Sequence, residues 1–281
     1  MSLGIPSLPT IRKDTTDRNR TSPFAFTGNK FEFRMVGSSQ NIALSNIVIN
    51  TAVAESLSYF ADKLEETVDF DGTLDKLISD TLRTHGRILF SGNAYSPEWE
   101  LEAKKRGLSN FKCSPEAYAH FTDEKNVSLF SKFGVMSETE MRSRREIFFE
   151  NYRKIKNIEA RTMLEMTIRD IIPAVSNYIG KLSEAVNAKL AVSKSMNVTC
   201  ELDLIDRLSN LLGLTYESYN LLDRAEKAAI AKSSDEEAAF YYQDNVIPKM
   251  ASLRKNVDAM EVLCAREYWP MPTYGDITYR I

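Results

Sequence analysis

A helical repeat of apolar residues runs through the second half of the sequence and strongly limits its fold. Ser137 and Glu140 form a capping-box signal, and a stripe at steps of three and four residues follows it. The stripe consists of Met141, Phe148, Tyr152, Ile155, Glu159, Thr162 and Met166. Pro173 is expected to kink this helix or to separate it from the next, predicted at 174–192. A further helix is predicted at 200–231.

The last long helix, predicted at 235–265, has the most regular repeat. Its apolar residues alternate steps of four and three, as in helices packed nearly antiparallel, although Pro248 removes a backbone hydrogen bond near its start. These residues are Val246, Met250, Leu253, Val257, Met260 and Cys264. The long helices together predict an elongated bundle. Earlier in the chain, an apolar helix is predicted from Ser38 or Ser39 to about Glu66, buried among its neighbours.

The N-terminal region contains a tight alternation of charged and aromatic residues at 30–35. On a strand, Lys30, Glu32 and Arg34 share one face and the intervening apolar residues share the other. Thr27-Gly28-Asn29 separates this run from Phe24-Ala25-Phe26 with residues that suit a tight turn, which predicts a β-hairpin. A carboxylate between two cations fits a metal or phosphate site, and it fits a salt-bridged solvent face equally well.

We therefore predict a mainly α protein in which a short N-terminal β-hairpin precedes the elongated helical bundle. Four segments are expected: a lead and linker at 1–16, whose first residues resemble a cloning remnant; the hairpin and shorter helices at 17–134; the long-helix bundle at 135–265; and a Pro- and aromatic-rich tail at 266–281. Aromatic residues of this tail are expected to dock on a neighbouring domain or subunit.

Composition narrows the functional class. The net charge of −3 argues against a nucleic-acid binder, but the first 36 residues hold six basic and three acidic residues, which favours an anionic ligand there. Three widely spaced cysteines indicate neither a disulfide framework nor a zinc site. No apolar run reaches the ~20 residues that span a bilayer, so we expect a cytoplasmic protein without a membrane partner.

Several motifs together resemble the glutamine synthetase family, and most closely its type III branch. The motifs are Asn19-Arg20-Thr21-Ser22, Lys30-Phe31-Glu32-Phe33-Arg34, Ser38-Ser39-Gln40-Asn41, Gly92-Asn93-Ala94-Tyr95-Ser96, Asn157-Ile158-Glu159-Ala160 and the closing segment from Arg266 to Tyr274. The resemblance implies that the chain is the C-terminal part of the catalytic domain of a longer polypeptide.

The resemblance also implies an activity, the ATP-dependent ligation of ammonia to glutamate through γ-glutamyl phosphate. Arg20 and Arg34 would neutralise the transferring phosphoryl group, Lys30 would lie near the nucleotide, and Glu32 would bind the divalent metal, Mg²⁺ or Mn²⁺. Family members assemble as double hexameric rings, so a homo-oligomer is expected. The sequence departs from the family pattern at Phe24-Ala25-Phe26, where a second arginine is missing.

The family's other metal ligands would come from an N-terminal catalytic segment, so we predict that the isolated chain is inactive. A helical scaffold or interaction module without catalysis, and a regulatory domain that binds an anion or nucleotide, are the alternatives. His85 and His120 are interpreted as structural, and Arg142 to Arg145 as a solvated helix face.

Overall fold

The computed structural model describes residues 24–26, 31–33, 41–90, 96–272 and 274–279. Within these ranges the chain is mainly helical, as predicted. None of the helices in the described ranges has the length and apolar character needed to cross a membrane. By its internal contacts the chain divides into two compact units. Unit 1 comprises 1–112 and 123–140, and unit 2 comprises 113–122 and 141–281.

Two short strands pair near the N-terminus. Strand β1, Phe24–Phe26, runs antiparallel to β2, Phe31–Phe33, with Ala25 opposite Glu32. The connection at 27–30 lies outside the described residues. The turn predicted at Thr27-Gly28-Asn29, and with it the complete hairpin, stays a prediction.

Eleven helices follow in the described part of the chain. They are α1 Ala43–Glu65, α2 Phe70–His85, α3 Pro97–Lys105, α4 Ser114–Ala119, α5 Glu124–Lys132, α6 Glu138–Met166, α7 Ile172–Val192, α8 Thr199–Ile230, α9 Asp235–Tyr241, α10 Ile247–Glu261 and α11 Tyr274–Tyr279. A short 3₁₀ turn, Gly86–Ile88, follows α2. The capping box predicted before α6 is present: the Glu140 N–H donates to Ser137 Oγ at 3.3 Å, and the Ser137 N–H donates to Glu140 Oε2 at 2.7 Å.

In unit 1, α1 contacts α2 and α5. The prediction that α1 is buried among neighbours is wrong, because Thr51 is its one buried residue. The residues preceding α1 at 34–40, including the predicted caps Ser38 and Ser39, lie outside the described residues. Helix α2 begins at Phe70, and Asp69 caps it by accepting a hydrogen bond from the Gly72 N–H at 3.1 Å.

Unit 2 is built around α8, which packs against both α7 and α10. Two clusters of buried side chains form its core. The first contains Ala160, Leu164, Leu222, Ala225, Ala229, Tyr242, Val246 and Leu253, and the second contains Ile171, Val175, Leu208, Met260, Cys264 and Trp269. Each large apolar side chain buried in this way stabilises the fold by roughly 1.5–3 kcal/mol. The regular repeat predicted for the last long helix is confirmed, since all six of its members lie in or against these clusters.

Each of the two prolines in the long helices, Pro173 and Pro248, follows a wide helical turn that accommodates it. A π-helical turn, Thr167–Ile171, precedes Pro173, and a second, Tyr242–Val246, precedes Pro248. Proline lacks an N–H and its ring collides with the carbonyl of the preceding turn, and the extra residue of a π turn relieves both problems. The predicted helix at 235–265 is therefore divided into α9, the π turn and α10.

The tail packs onto its own unit. Trp269 is 8% exposed and belongs to the second core cluster of unit 2. Tyr268 and Met271 pack against the same cluster. The expectation that the tail aromatics dock on another domain or subunit is thus wrong for Trp269.

Candidate functional site

Glu32 is the one predicted site residue that lies within the described ranges. It occupies the centre of β2, opposite Ala25 of β1, and it is half-buried. Alternation along the strand places it on the face opposite to positions 31 and 33. The other predicted site residues, Arg20, Lys30 and Arg34, lie outside the described residues. Their convergence with Glu32 stays a prediction.

The metal expected at Glu32 needs more ligands than this carboxylate. Mg²⁺ prefers six oxygen ligands in a regular octahedron, and a carboxylate suits it as one of them. Across the described ranges, no group of three or more His, Cys, Asp or Glu side chains is placed to hold a metal ion. The metal role of Glu32 therefore stays a prediction, and it would require further ligands besides this carboxylate.

A buried polar network, which the sequence interpretation missed, lies in unit 2. The Asn157 side-chain amide on α6 donates to Glu226 Oε1 on α8 at 2.8 Å and to the Tyr242 hydroxyl at 3.0 Å. Glu226 is 5% exposed and Tyr242 is fully buried. Burial raises the pKa of the Tyr242 hydroxyl. One amide group thus joins α6, α8 and the second π turn.

The sequence of α8 contained a signal for this network. Leu208 and Leu222 lie on one side of α8 and are both fully buried, and Glu226 follows Leu222 by four residues on the same side. A carboxylate at a core position of an amphipathic helix requires a hydrogen-bond donor from a neighbouring element. The donor, Asn157, falls within one of the motifs on which the family resemblance rests.

A second pair of polar residues extends this region. The Tyr152 hydroxyl on α6 donates to Gln243 Oε1 at 2.6 Å. Burial raises the pKa of Tyr152 to about 12. Burial thus favours the neutral hydroxyl, which is the form that donates to Gln243.

Arg142 and Arg144 are exposed, in agreement with the predicted solvated face, but Arg145 of the same run is half-buried and paired. Its guanidinium donates to Glu236 Oε1 on α9 at 2.6 Å and lies 4.9 Å from the ring centroid of Phe149. Arg153, two turns further along α6, pairs with Asp235. These two pairs attach α6 to the acidic first turn of α9, where negative charge is also favoured by the helix dipole.

The two histidines lie at helix ends. His85 is the last residue of α2, and His120 directly follows α4. Trp99 is half-buried, and its ring stacks on Phe90 at a centroid distance of 4.1 Å. The interpretation of both histidines as structural stays a prediction.

A cavity of about 360 Å³ opens in unit 2 beside the first π turn. Its walls are mainly apolar and include Met163, Ile171, Leu253, Trp269 and Met271. None of the predicted site residues is among its lining residues.

Comparisons with known proteins identify the family. Residues 73–190, from α2 to α7, match the family model described as the glutamine synthetase C-terminal domain. The chain is 37% identical over 289 residues to the type-3 glutamine synthetase of Dictyostelium discoideum, which covers 99% of this chain and 39% of that protein. It is 36% identical over 287 residues to a glutamine synthetase of Bacteroides fragilis, again covering 99% of this chain and 39% of the relative.

A glutamine synthetase of Butyrivibrio fibrisolvens is 35% identical over 280 residues, covering 97% of this chain and 39% of the relative. The chain thus spans 39% of the length of each of these curated relatives. The nearly complete coverage of the chain and the matched C-terminal domain model agree with the motifs found in the sequence. The chain belongs to the glutamine synthetase family and corresponds to the C-terminal part of its type III members.

Proposed function

We propose that this chain supplies the C-terminal part of an ATP-dependent glutamate–ammonia ligase. The observation that carries the proposal is the matching of nearly the whole chain to proteins named glutamine synthetase. Glu32 supports it, because a half-buried carboxylate at the centre of a strand is well suited to hold one ligand position of a metal.

The proposed reaction has two steps. A side-chain carboxylate oxygen of glutamate bonds to the γ-phosphorus of ATP while the bond to the β–γ bridging oxygen breaks and ADP leaves. The nitrogen of ammonia then bonds to the acyl carbon of γ-glutamyl phosphate, phosphate leaves, and one proton is released. Both steps depend on positioning and on neutralising the phosphoryl charge.

Four residues of this chain are assigned to that task. Arg20 and Arg34 neutralise the transferring phosphoryl group, and Lys30 lies near the nucleotide. Glu32 holds the divalent cation, Mg²⁺ or Mn²⁺, which when bound neutralises the phosphates of ATP. The remaining metal ligands come from sequence outside the 39% of the relatives that this chain matches, so these 281 residues alone give background activity. In this proposal the full-length protein is a homo-oligomer located in the cytoplasm.

The test is Glu32→Gln in the full-length enzyme, which removes the charge and keeps the shape of the side chain. We expect γ-glutamyl hydroxamate formation with ATP and Mg²⁺ or Mn²⁺ to fall by about 10²-fold or more, the typical effect of losing one electrostatic stabiliser. Glu66→Gln is the matched control, because Glu66 is an exposed carboxylate of the same unit. Equal turnover of the two variants would indicate that Glu32 is a solvated charge without a catalytic role. It would favour the alternative that this part of the protein is a non-catalytic scaffold.

A further inference from the structure

The cavity beside the first π turn of unit 2 has the size of a small-molecule site. Its volume is about 360 Å³. Ligand pockets in proteins usually measure about 300–1,000 Å³, and an apolar cavity of about 150 Å³ already holds a benzene ring. The cavity therefore has room for a bicyclic ring system with a short side chain.

The walls of the cavity suit an apolar molecule that carries a positive charge. Met163 and Met166 come from the end of α6, Leu253 and Val257 come from α10, and Trp269 comes from the tail. Methionine side chains are flexible and polarizable, so they adapt to the shape of a bound molecule. A Trp ring attracts an organic cation through its π electrons.

The charged side chains of the lining leave one negative charge in excess. They are Arg254, Asp258 and Glu261, all on α10. The Arg254 Nε donates to Asp258 Oδ2 at 3.3 Å. Glu261 is half-buried, and no other described residue forms a hydrogen bond or an ion pair with its carboxylate. The excess charge is therefore located at Glu261.

The position of Glu261 on its helix strengthens the local negative potential. It is the last residue of α10, and the last turn of this helix contains no basic residue. The carbonyl groups at a helix C-terminus carry a partial negative charge that a Lys, Arg or His in the last turn would stabilise. Arg266, the next basic residue along the chain, is paired with Asp276. A cation is therefore favoured at this end of the cavity.

We propose that this cavity binds a small organic ammonium ion. The apolar body lies between the methionines and Trp269, and the ammonium group donates hydrogen bonds to the carboxylate of Glu261. Burial of the body supplies affinity, and the carboxylate selects for positive charge. Because the excess charge disfavours anions, the glutamate and ATP of the proposed reaction belong to a different class of ligand. The bound ion stabilises unit 2, since it joins α6, α10 and the tail.

The test compares three probes that share a naphthalene body and differ in charge. At neutral pH naphthylethylamine is a cation, naphthylethanol is neutral and naphthylpropionate is an anion. Isothermal titration calorimetry measures their binding to this chain and to the full-length enzyme. We expect the amine to bind with a Kd below about 1 mM and about 10-fold more tightly than the alcohol, because a hydrogen bond to a charged group contributes more than a neutral one. The anion should show no saturable binding.

Two variants locate the site, and far-UV circular dichroism verifies that both are folded. Glu261→Gln should weaken binding of the amine about 10-fold and leave binding of the alcohol unchanged, because only the charge is lost. Met166→Trp should weaken binding of both probes at least about 10-fold by filling the cavity, and position 166 is 37% exposed, so the larger side chain fits without rebuilding the core. Glu217→Gln is the matched control, because Glu217 is an exposed carboxylate of unit 2 outside the cavity lining.

Three outcomes would overturn the inference. Equal affinity for the amine and the alcohol would show unselective apolar binding. Unchanged binding of the amine by Glu261→Gln would place the ion at another site. Binding by this chain but not by the full-length enzyme would mean that other polypeptide fills the cavity. None of these measurements requires enzymatic activity, so their result is independent of the test of Glu32.

Discussion

Replacing Asn157 with alanine tests whether its buried network holds α6, α8 and the second π turn together. The variant removes the donor of two hydrogen bonds, one to the carboxylate of Glu226 at 2.8 Å and one to the hydroxyl of Tyr242 at 3.0 Å. A hydrogen bond to a charged group contributes about 1.5–3 kcal/mol and one between neutral groups about 0.5–1.5 kcal/mol. The better helix propensity of alanine returns about 0.6 kcal/mol.

The net expectation is a loss of about 2–3 kcal/mol in the free energy of unfolding. Urea unfolding of the chain, followed by far-UV circular dichroism, measures it by linear extrapolation. Asn210→Ala is the matched control: Asn210 is exposed on α8 and its amide donates to Asp206 at 3.3 Å, so its removal should change stability by about 0.5 kcal/mol or less.

A double-mutant cycle separates the charged bond from the rest. Glu226→Gln keeps an acceptor oxygen and removes the negative charge. In the Glu226→Gln background, Asn157→Ala should lower the free energy of unfolding by about 1 kcal/mol less than it does in the wild-type chain. The reason is that the hydrogen bond to a charged acceptor has already been removed. A loss for Asn157→Ala no larger than that of Asn210→Ala would refute the reasoning.

Two further predictions concern titratable groups. Burial raises the pKa of Tyr152 to about 12, so the unfolded chain ionises first above about pH 10, and the free energy of unfolding should fall by about 1–2 kcal/mol up to about pH 12. The stability of wild type relative to Tyr152→Phe should therefore decrease between about pH 9 and about pH 11.5 in urea titrations, and a constant difference would contradict the assigned burial. Burial also raises the pKa of the Cys264 thiol, whereas Cys200 is exposed. At pH 8 a thiol reagent should label Cys200 about 100-fold faster than Cys264 in peptide maps, and similar rates would argue against the packing of Cys264 in the core.

The sequence predicted those parts of the fold that depend on neighbours in sequence. The capping box at Ser137 and the repeat from Val246 to Cys264 require information from residues three or four positions apart, and both are confirmed. The geometry of the helix before Pro173 was harder to predict. A kink and a π turn can each accommodate a proline, which lacks an N–H donor and clashes with the preceding turn.

The candidate site was less accessible to sequence interpretation. Glu32 was predicted from its motif and its position on a strand, and the described residues contain no group of three or more His, Cys, Asp or Glu placed to hold a metal ion. The buried network around Asn157 was overlooked because its three members are 69 and 85 residues apart in sequence. Only the unusual position of Glu226 on an apolar stripe signalled that a distant donor was required.

Leu57 and Leu222 show why helical periodicity predicts an apolar surface but not its burial. Both leucines lie on apolar stripes of long helices, yet Leu57 is 62% exposed and Leu222 is fully buried. Leu222 finds its partners on helices of its own unit, including Ala160 of α6 and Leu253 of α10. Leu57, in contrast, stays exposed in the described part of unit 1. The helical period thus locates the apolar side of a helix, whereas burial of that side depends on tertiary partners that the period does not specify.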